Sequence, residues 1–325
     1  MTITVNPRMG GREWALLIAL SLLWGGAFFL AKISVGQVPP LVLVFLRAGL
    51  AALALALTLL ILGQPLPRGF AVWRALAVMG LFNNAIPFGL LFWGQTHIAT
   101  GLAAMLNATS PLFSAAIAHL AGQERLTRAR ALGALLGIGG VATMMSADLG
   151  TGAGANMWAQ LACLGAALSY GIAGVFGRRH LRGVPPLGAA AGQLIASSAM
   201  VLPVMLVLAP ESWTLRPSLD VIAAVIALAL LGTALAYAIY FRILATAGAT
   251  NLLLVTVLIP VSAALLGGMF LGERLEARHF IGMAVIALGL AAIDGRTAAR
   301  LRRALSRSRG PSDHRQAAAE TAREG

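Results

Sequence analysis

Acidic side chains are what this sequence has least of. Only eleven of its 325 residues are Asp or Glu, and charged residues of both signs make up 11%, against about a quarter in soluble domains. The eleven are Glu13, Glu124, Asp148, Glu211, Asp220, Glu273, Glu276, Asp294, Asp313, Glu320 and Glu324. Each falls in a connection, at the end of an apolar run or in the C-terminal tail, which leaves no buried carboxylate to act as a proton relay. The single cysteine, Cys163, sits inside an apolar run and excludes both a disulfide framework and a cysteine-ligated metal cluster. Paired carboxylates for diphosphate chemistry, a His-Glu-x-x-His motif and a Ser/His couple are also missing, so the usual intramembrane enzymes are disfavoured. No catalytic residue, metal or cofactor is expected. The stretch Gly150 to Gly154 is not a phosphate loop, since no lysine follows it and no strand precedes it.

What the sequence does have is apolar residues, 59% of the total, and a mean hydropathy of +0.85. A soluble core of this size cannot hide so much apolar surface, so lipid is the solvent for most of the chain. A window of about 20 residues picks out ten segments, near 14–33, 41–62, 70–93, 100–121, 129–146, 156–177, 187–209, 219–241, 249–271 and 278–294. Breakers separate them, among them Pro39-Pro40, Gly63 to Pro67, Pro185-Pro186 and Pro210 to Pro217. Arg8 and Arg12 precede the first run, but it is longer than a signal-peptide core and no small-x-small cleavage site follows. It reads as a retained helix.

The net charge of +13 is a matter of topology, not of nucleic-acid binding. With the N-terminus in the cytoplasm, 19 of the 24 basic residues fall on the cytoplasmic side, eight of them in the tail from Arg296 to Arg323. Lys32, Arg216, Arg274 and Arg278 fall outside, and Arg47 lies within the second segment. This bias predicts an even helix count with both termini cytoplasmic, in a bacterial-type inner membrane.

The chain also contains itself twice. A shift of 149 positions sets Phe92 on Phe241, Pro111 on Pro260, Glu124-Arg125-Leu126 on Glu273-Arg274-Leu275, Gly133 on Gly282 and Gly140 on Gly289. A shift of 146 sets Trp24-Gly25 against Tyr170-Gly171, Lys32 against Arg178 and Arg47 against Gln193. Each copy holds five segments, an odd number, so the copies enter the membrane in opposite directions. The predicted fold is all-α, ten transmembrane helices in two inverted five-helix repeats. Residues 1–150 form the first repeat, 151–295 the second, and 296–325 a basic cytoplasmic tail without stable structure beyond Gly310.

Three features resemble a known family: Trp24-Gly25-Gly26-Ala27-Phe28 in the first segment, Phe45-Leu46-Arg47 in the second, and the two Pro…Glu-Arg-Leu…Gly blocks. Across residues 14–294 the chain is similar to the ten-helix EamA type of the drug/metabolite transporter superfamily, and most like its YddG-type exporters of aromatic amino acids. The resemblance implies a secondary transporter that exports small organic metabolites by alternating access.

Neutral polar and aromatic residues near the middle of the segments are the candidate solute contacts: Trp24, Asn83, Asn84, Phe88, Asn107, Tyr170, Tyr237 and Tyr240. Such groups hold an amphipathic solute without fixed charge, although each also suits a helix–helix hydrogen bond. Arg47, with its echo Gln193, is expected to gate the outer mouth or attract a carboxylate there, or else to serve as a structural latch. Pro87, Pro111 and Pro260 are expected to kink their helices and release the carbonyl four residues back. The partners implied are a small-molecule substrate, with amino acids favoured, and the bilayer. A drug or other metabolite exporter of the same superfamily and a non-transporting scaffold are the alternatives. A channel fits less well, because an inverted repeat encloses a central cavity instead of ringing an axis.

Overall fold

The computed structural model describes residues 10–124, 127–151, 154–252 and 254–294, and the predicted tail from residue 296 lies outside them. Ten helical segments result: α1 (Gly11–Val35), α2 (Pro40–Ile61), α3 (Phe70–Gln95), α4 (Thr100–Leu120), α5 (Arg128–Thr151), α6 (Ala155–His180), α7 (Pro186–Leu208), α8 (Leu219–Gly248), α9 (Leu254–Leu271) and α10 (Ala277–Asp294). Among the described residues nine are long and apolar enough to cross a bilayer, and α10 is a shorter apolar helix. The face carrying the α1–α2 turn is called the α1–α2 face below, and the opposite one, where the first described residues begin, the terminal face.

Local chemistry sets the ends. Pro40 and Pro186 occupy the first turn of α2 and α7, where a missing N–H costs nothing and φ is already helical. Gly122 and Gly272 follow α4 and α9 in the left-handed conformation, with φ of 67° and 65°, which ends a helix at little steric cost. α8 runs seven residues beyond the predicted segment, until Gly248, at φ 78° and ψ 164°, interrupts the helical line. Large apolar side chains face outward, such as Ile61, Phe70 and Leu120, each more than 80% exposed. That is the pattern of helices solvated by lipid.

Packing follows the repeat. α1 lies on α8 and α9 of the second repeat, and α6 on α3 and α4 of the first. α2 packs on α7, and α5 on α10. A Cβ on Gly133 would lie 2.6 Å from Gly289 O, and one on Gly140 2.6 Å from Gly282 O. The reciprocal contacts, Gly282 to Gly140 O and Gly289 to Gly133 O, are equally tight. These are the residues that the 149-position shift pairs, so the pseudo-two-fold axis passes through this seam. Between the antiparallel α5 and α10 such an axis runs across the helices, as an inverted repeat requires.

Candidate functional site

α3 and α8 each contain one π-helical turn, Leu81–Ala85 and Leu230–Leu235, at positions the 149-position shift superposes. A π turn inserts a residue into the helical ladder and leaves carbonyls to be met from elsewhere. Ser169 Oγ of α6 donates to Phe82 O at 2.7 Å, and Thr233 Oγ1 donates to Leu228 O at 3.2 Å. The inserted residues turn polar side chains toward the boundary between the repeats.

Three cross-repeat bonds involve these turns. Arg47 of α2 is 8% exposed; its Nε donates to Thr233 Oγ1 at 3.0 Å, and its guanidinium carbon stands 3.8 Å from the Phe88 ring centroid and 5.8 Å from that of Phe92. Cation–π attraction in a desolvated setting stabilises such a charge by about 2 kcal/mol. No other hydrogen bond to its guanidinium is present among the described residues. On the opposite side Asn83 Nδ2 donates to Gln193 Oε1 at 3.2 Å and to Tyr237 Oη at 3.3 Å. The two arrangements are related by the repeat, with Arg47 matched by Gln193 and the α8 turn by the α3 turn.

Arg47 is therefore buried within the protein. Phe88, expected as a solute surface, lies beneath it and is 4% exposed. Asn84 is fully buried, and neither its Oδ1 nor its Nδ2 has a hydrogen-bond partner. Tyr170 joins the two apolar clusters on either side of α3, within electrostatic reach of Arg47, as is Tyr237. Trp24 packs at a tilt on Tyr240, with centroids 5.7 Å apart, and Tyr240 meets Phe241 edge-on at 5.2 Å. Asn107 has its Oδ1 buried and unpartnered where α4 breaks.

The prolines diverge. Pro87 follows the π turn of α3, and Pro111 begins the second half of α4 after a break at Ala108–Thr109. Pro260 sits within α9, whose helix continues through it. Thr233, Phe92 and Phe241 are not among the solute contacts read from the sequence, although the 149-position shift pairs Phe92 with Phe241.

A model of the EamA-like transporter family matches residues 12–146 and again 157–293. The chain belongs to the EamA-like transporter family. It is a multi-pass membrane transporter and not an enzyme. Among its relatives, the uncharacterized inner membrane transporter YedA of Escherichia coli (strain K12) is 30% identical over 275 residues, covering 83% of this chain and 86% of YedA. The uncharacterized transporter YoaV of Bacillus subtilis (strain 168) is 23% identical and covers 84% of this chain and 94% of its own. One crystal structure of a 24% identical protein aligns with a TM-score of 0.64 over 90% of this chain and 99% of its own, a likeness of fold. For an EamA-like transporter, the doubled family match corresponds to the two structural repeats.

Proposed function

We propose that this EamA-like transporter exports aromatic and other bulky neutral amino acids by alternating access, with the terminal face in the cytoplasm. One observation carries the reading: Arg47 is buried and has no bonded acid, and no hydrogen bond to another described residue engages its terminal nitrogens. A buried guanidinium without a counter-charge is costly, and a carboxylate-bearing solute supplies that charge in bidentate form. Phe88, Tyr170 and Tyr237 give the surrounding surface its aromatic character, which suits a large apolar side chain. The unpartnered amide of Asn84 offers a donor and an acceptor, and the tyrosine faces offer the ammonium a partner in the absence of an acid. Trp24, Asn83, Asn107 and Tyr240 complete the contacts on the way to the terminal face. The positive bias of that face supports its cytoplasmic placement.

Because no carboxylate meets the ammonium, an aromatic organic acid lacking the amine fits the same groups and is the second reading. Uptake into proteoliposomes of tryptophan, phenylalanine, threonine, glutamate and indole-3-propionate separates them, with Asn84→Ala and Tyr170→Ala beside the parent. Tryptophan and phenylalanine should move fastest and both variants should slow them. Faster glutamate would reject the substrate class, and faster indole-3-propionate would favour the acid. Unchanged transport in both variants would reject the site. Placement is checked by cysteines introduced at Ser212 and Gln123 in a Cys163→Ala background, where only the first should react with an impermeant thiol reagent added outside.

A further inference from the structure

The two faces of the protein are built from matching residues that are bonded differently. At the α1–α2 face, Lys32 Nζ donates to the main-chain carbonyls of Gln95 at 2.6 Å and Ile98 at 3.0 Å. Gln95 Nε2 donates back to Phe28 O at 2.7 Å. These bonds hold α1 to the end of α3 and to the α3–α4 turn. The Glu273 carboxylate, from the α9–α10 connection, accepts Thr100 N at 2.9 and 3.0 Å and Thr100 Oγ1 at 2.9 Å. It caps α4 at the end whose free N–H groups favour a negative charge. Lys32 is within electrostatic reach of this carboxylate. The end of α1, the α3–α4 turn and the α9–α10 connection are thereby fastened together.

At the terminal face the repeat puts Arg178 in the place of Lys32 and Glu124 in that of Glu273. Leu244, Ala247 and Ala249 correspond to Gln95, Ile98 and Thr100. The same fastening is not made. Arg178 Nη2 is 3.9 Å from Glu124 Oε1, with its side chain 51% exposed, and Glu124 makes its short contact, 2.8 Å, with Arg130 of its own repeat. No hydrogen bond joins Arg178 to the α8–α9 turn among the described residues. α1 packs on the adjoining halves of α3 and α4, whereas among the described residues no comparable packing joins α6 to α8 or α9. A recess of 560 Å³ lined by Gln123, Glu124, Arg178 and Arg182 opens beside the unmade contact.

We propose that Lys32 and Glu273 gate the α1–α2 face and that Arg178 and Glu124 gate the terminal face, the two closing in turn. In this structure the first gate is shut and the second open. In an inverted repeat each half shows the arrangement that the other half takes in the opposite state. In that state Arg178 bonds the carbonyls of Leu244 and Ala247, and Glu124 accepts the main-chain N–H of Ala249, where the helix resumes after Gly248. The bonds broken at one face are replaced at the other, which keeps two opposite conformations close in free energy, as a transporter needs. The proposal rests on alternating access and not on the choice of solute.

The test uses the full-length Cys163→Ala protein in lipid nanodiscs, with spin-label pairs at Gly36 and Arg274 on one face and at Gln123 and Arg182 on the other. Glu273→Gln should lengthen the first distance, shorten the second and raise the fraction open to the α1–α2 face by about tenfold, the effect of one charge-assisted bond. Glu124→Gln should hold both distances at the values of this structure. Should Glu273→Gln fail to fold, Thr100→Val removes a single bond and should give a smaller shift in the same sense. Distances unchanged in a folded Glu273→Gln or Thr100→Val protein, or moved in the same direction by Glu273→Gln and Glu124→Gln, would overturn the assignment. No solute is added, so an error in substrate assignment leaves this result standing.

Discussion

Two interfaces join the same two repeats, and they keep the repeat symmetry to different degrees. The α5–α10 seam is symmetric residue by residue, glycine against carbonyl in reciprocal pairs. The central interface is symmetric in position only. It has arginine and threonine on one side and glutamine and asparagine on the other, both set on π turns. The seam brings main chain against main chain at matched glycines, a contact suited to a pivot between the repeats. The central interface carries one charge on one side only, so its two halves cannot be equivalent toward a solute. Symmetry is kept at the glycine seam and broken at the central interface.

The largest effect should come from breaking the pivot. In Gly282→Leu the new Cβ would lie 2.5 Å from Gly140 O, and in Gly140→Leu 2.6 Å from Gly282 O. Main chain meets main chain there, with no flexible side chain to yield, and each variant should lose about 3 kcal/mol or more of stability. Thermal melts followed by size-exclusion profiles would show it. Melting with the parent would mean that the seam is loose and is no pivot.

Arg47→Met is next and sharpens the other half of the comparison. The methionine keeps apolar bulk on Phe88 and removes the charge. Transport of a carboxylate-bearing solute should fall about tenfold or more. Because an uncompensated buried charge is itself costly, the melting temperature should hold or rise. Parallel loss of transport and stability would instead make Arg47 a structural latch.

The amides rank third. Gln193→Ala leaves Asn83 with Tyr237 as its remaining partner and should cost about 1 kcal/mol of stability. Asn84→Ala removes a buried side chain that has no protein hydrogen bond, so its stability should change by less than about 1 kcal/mol while transport slows. Reversal of that order would place the structural polar contact at Asn84. The smallest effect should be at the lipid surface, where Leu288 is 62% exposed. Leu288→Ala should stay within about 0.5 kcal/mol in stability and leave transport at the parent rate.

The fold was legible because lipid imposes length and hydropathy on every crossing, and because the repeat left ordered matches from Phe92 to Gly140. The long end of α8 was not, since Arg242 interrupts the apolar run while the helix continues six residues past it. The π turns were hidden as well: Leu-Phe-Asn-Asn-Ala reads as an ordinary helical stretch, and only its packing shows where the extra residue is accommodated. Pro111 opens a new helical half after a break at Ala108–Thr109, whereas α9 is helical on both sides of Pro260, so a proline's position alone does not fix where a helix is interrupted. For the candidate site, residue types were readable and partners were not. Arg47 gave its charge to the reading, but its seat on Phe88 and its bond to Thr233 depend on three helices meeting. Nor does the chain announce which face is open, because one sequence has to serve both states.

The length of α8 has a further consequence. Asp220 and Arg242 stand 22 residues apart near the ends of its apolar stretch, about 33 Å along a helix, close to the hydrocarbon thickness of about 30 Å. The two charges therefore act as floats at the two headgroup layers and set the depth at which the π turn rides. The six residues after Arg242 stand in the interfacial zone of the terminal face, beside the gate proposed there. A thinner bilayer would tilt α8 to keep both floats wet, and with it Tyr237, Tyr240 and the turn at Gly248. Membrane thickness would thus act on this protein as a mechanical load, applied through the helix that carries half of its central interface.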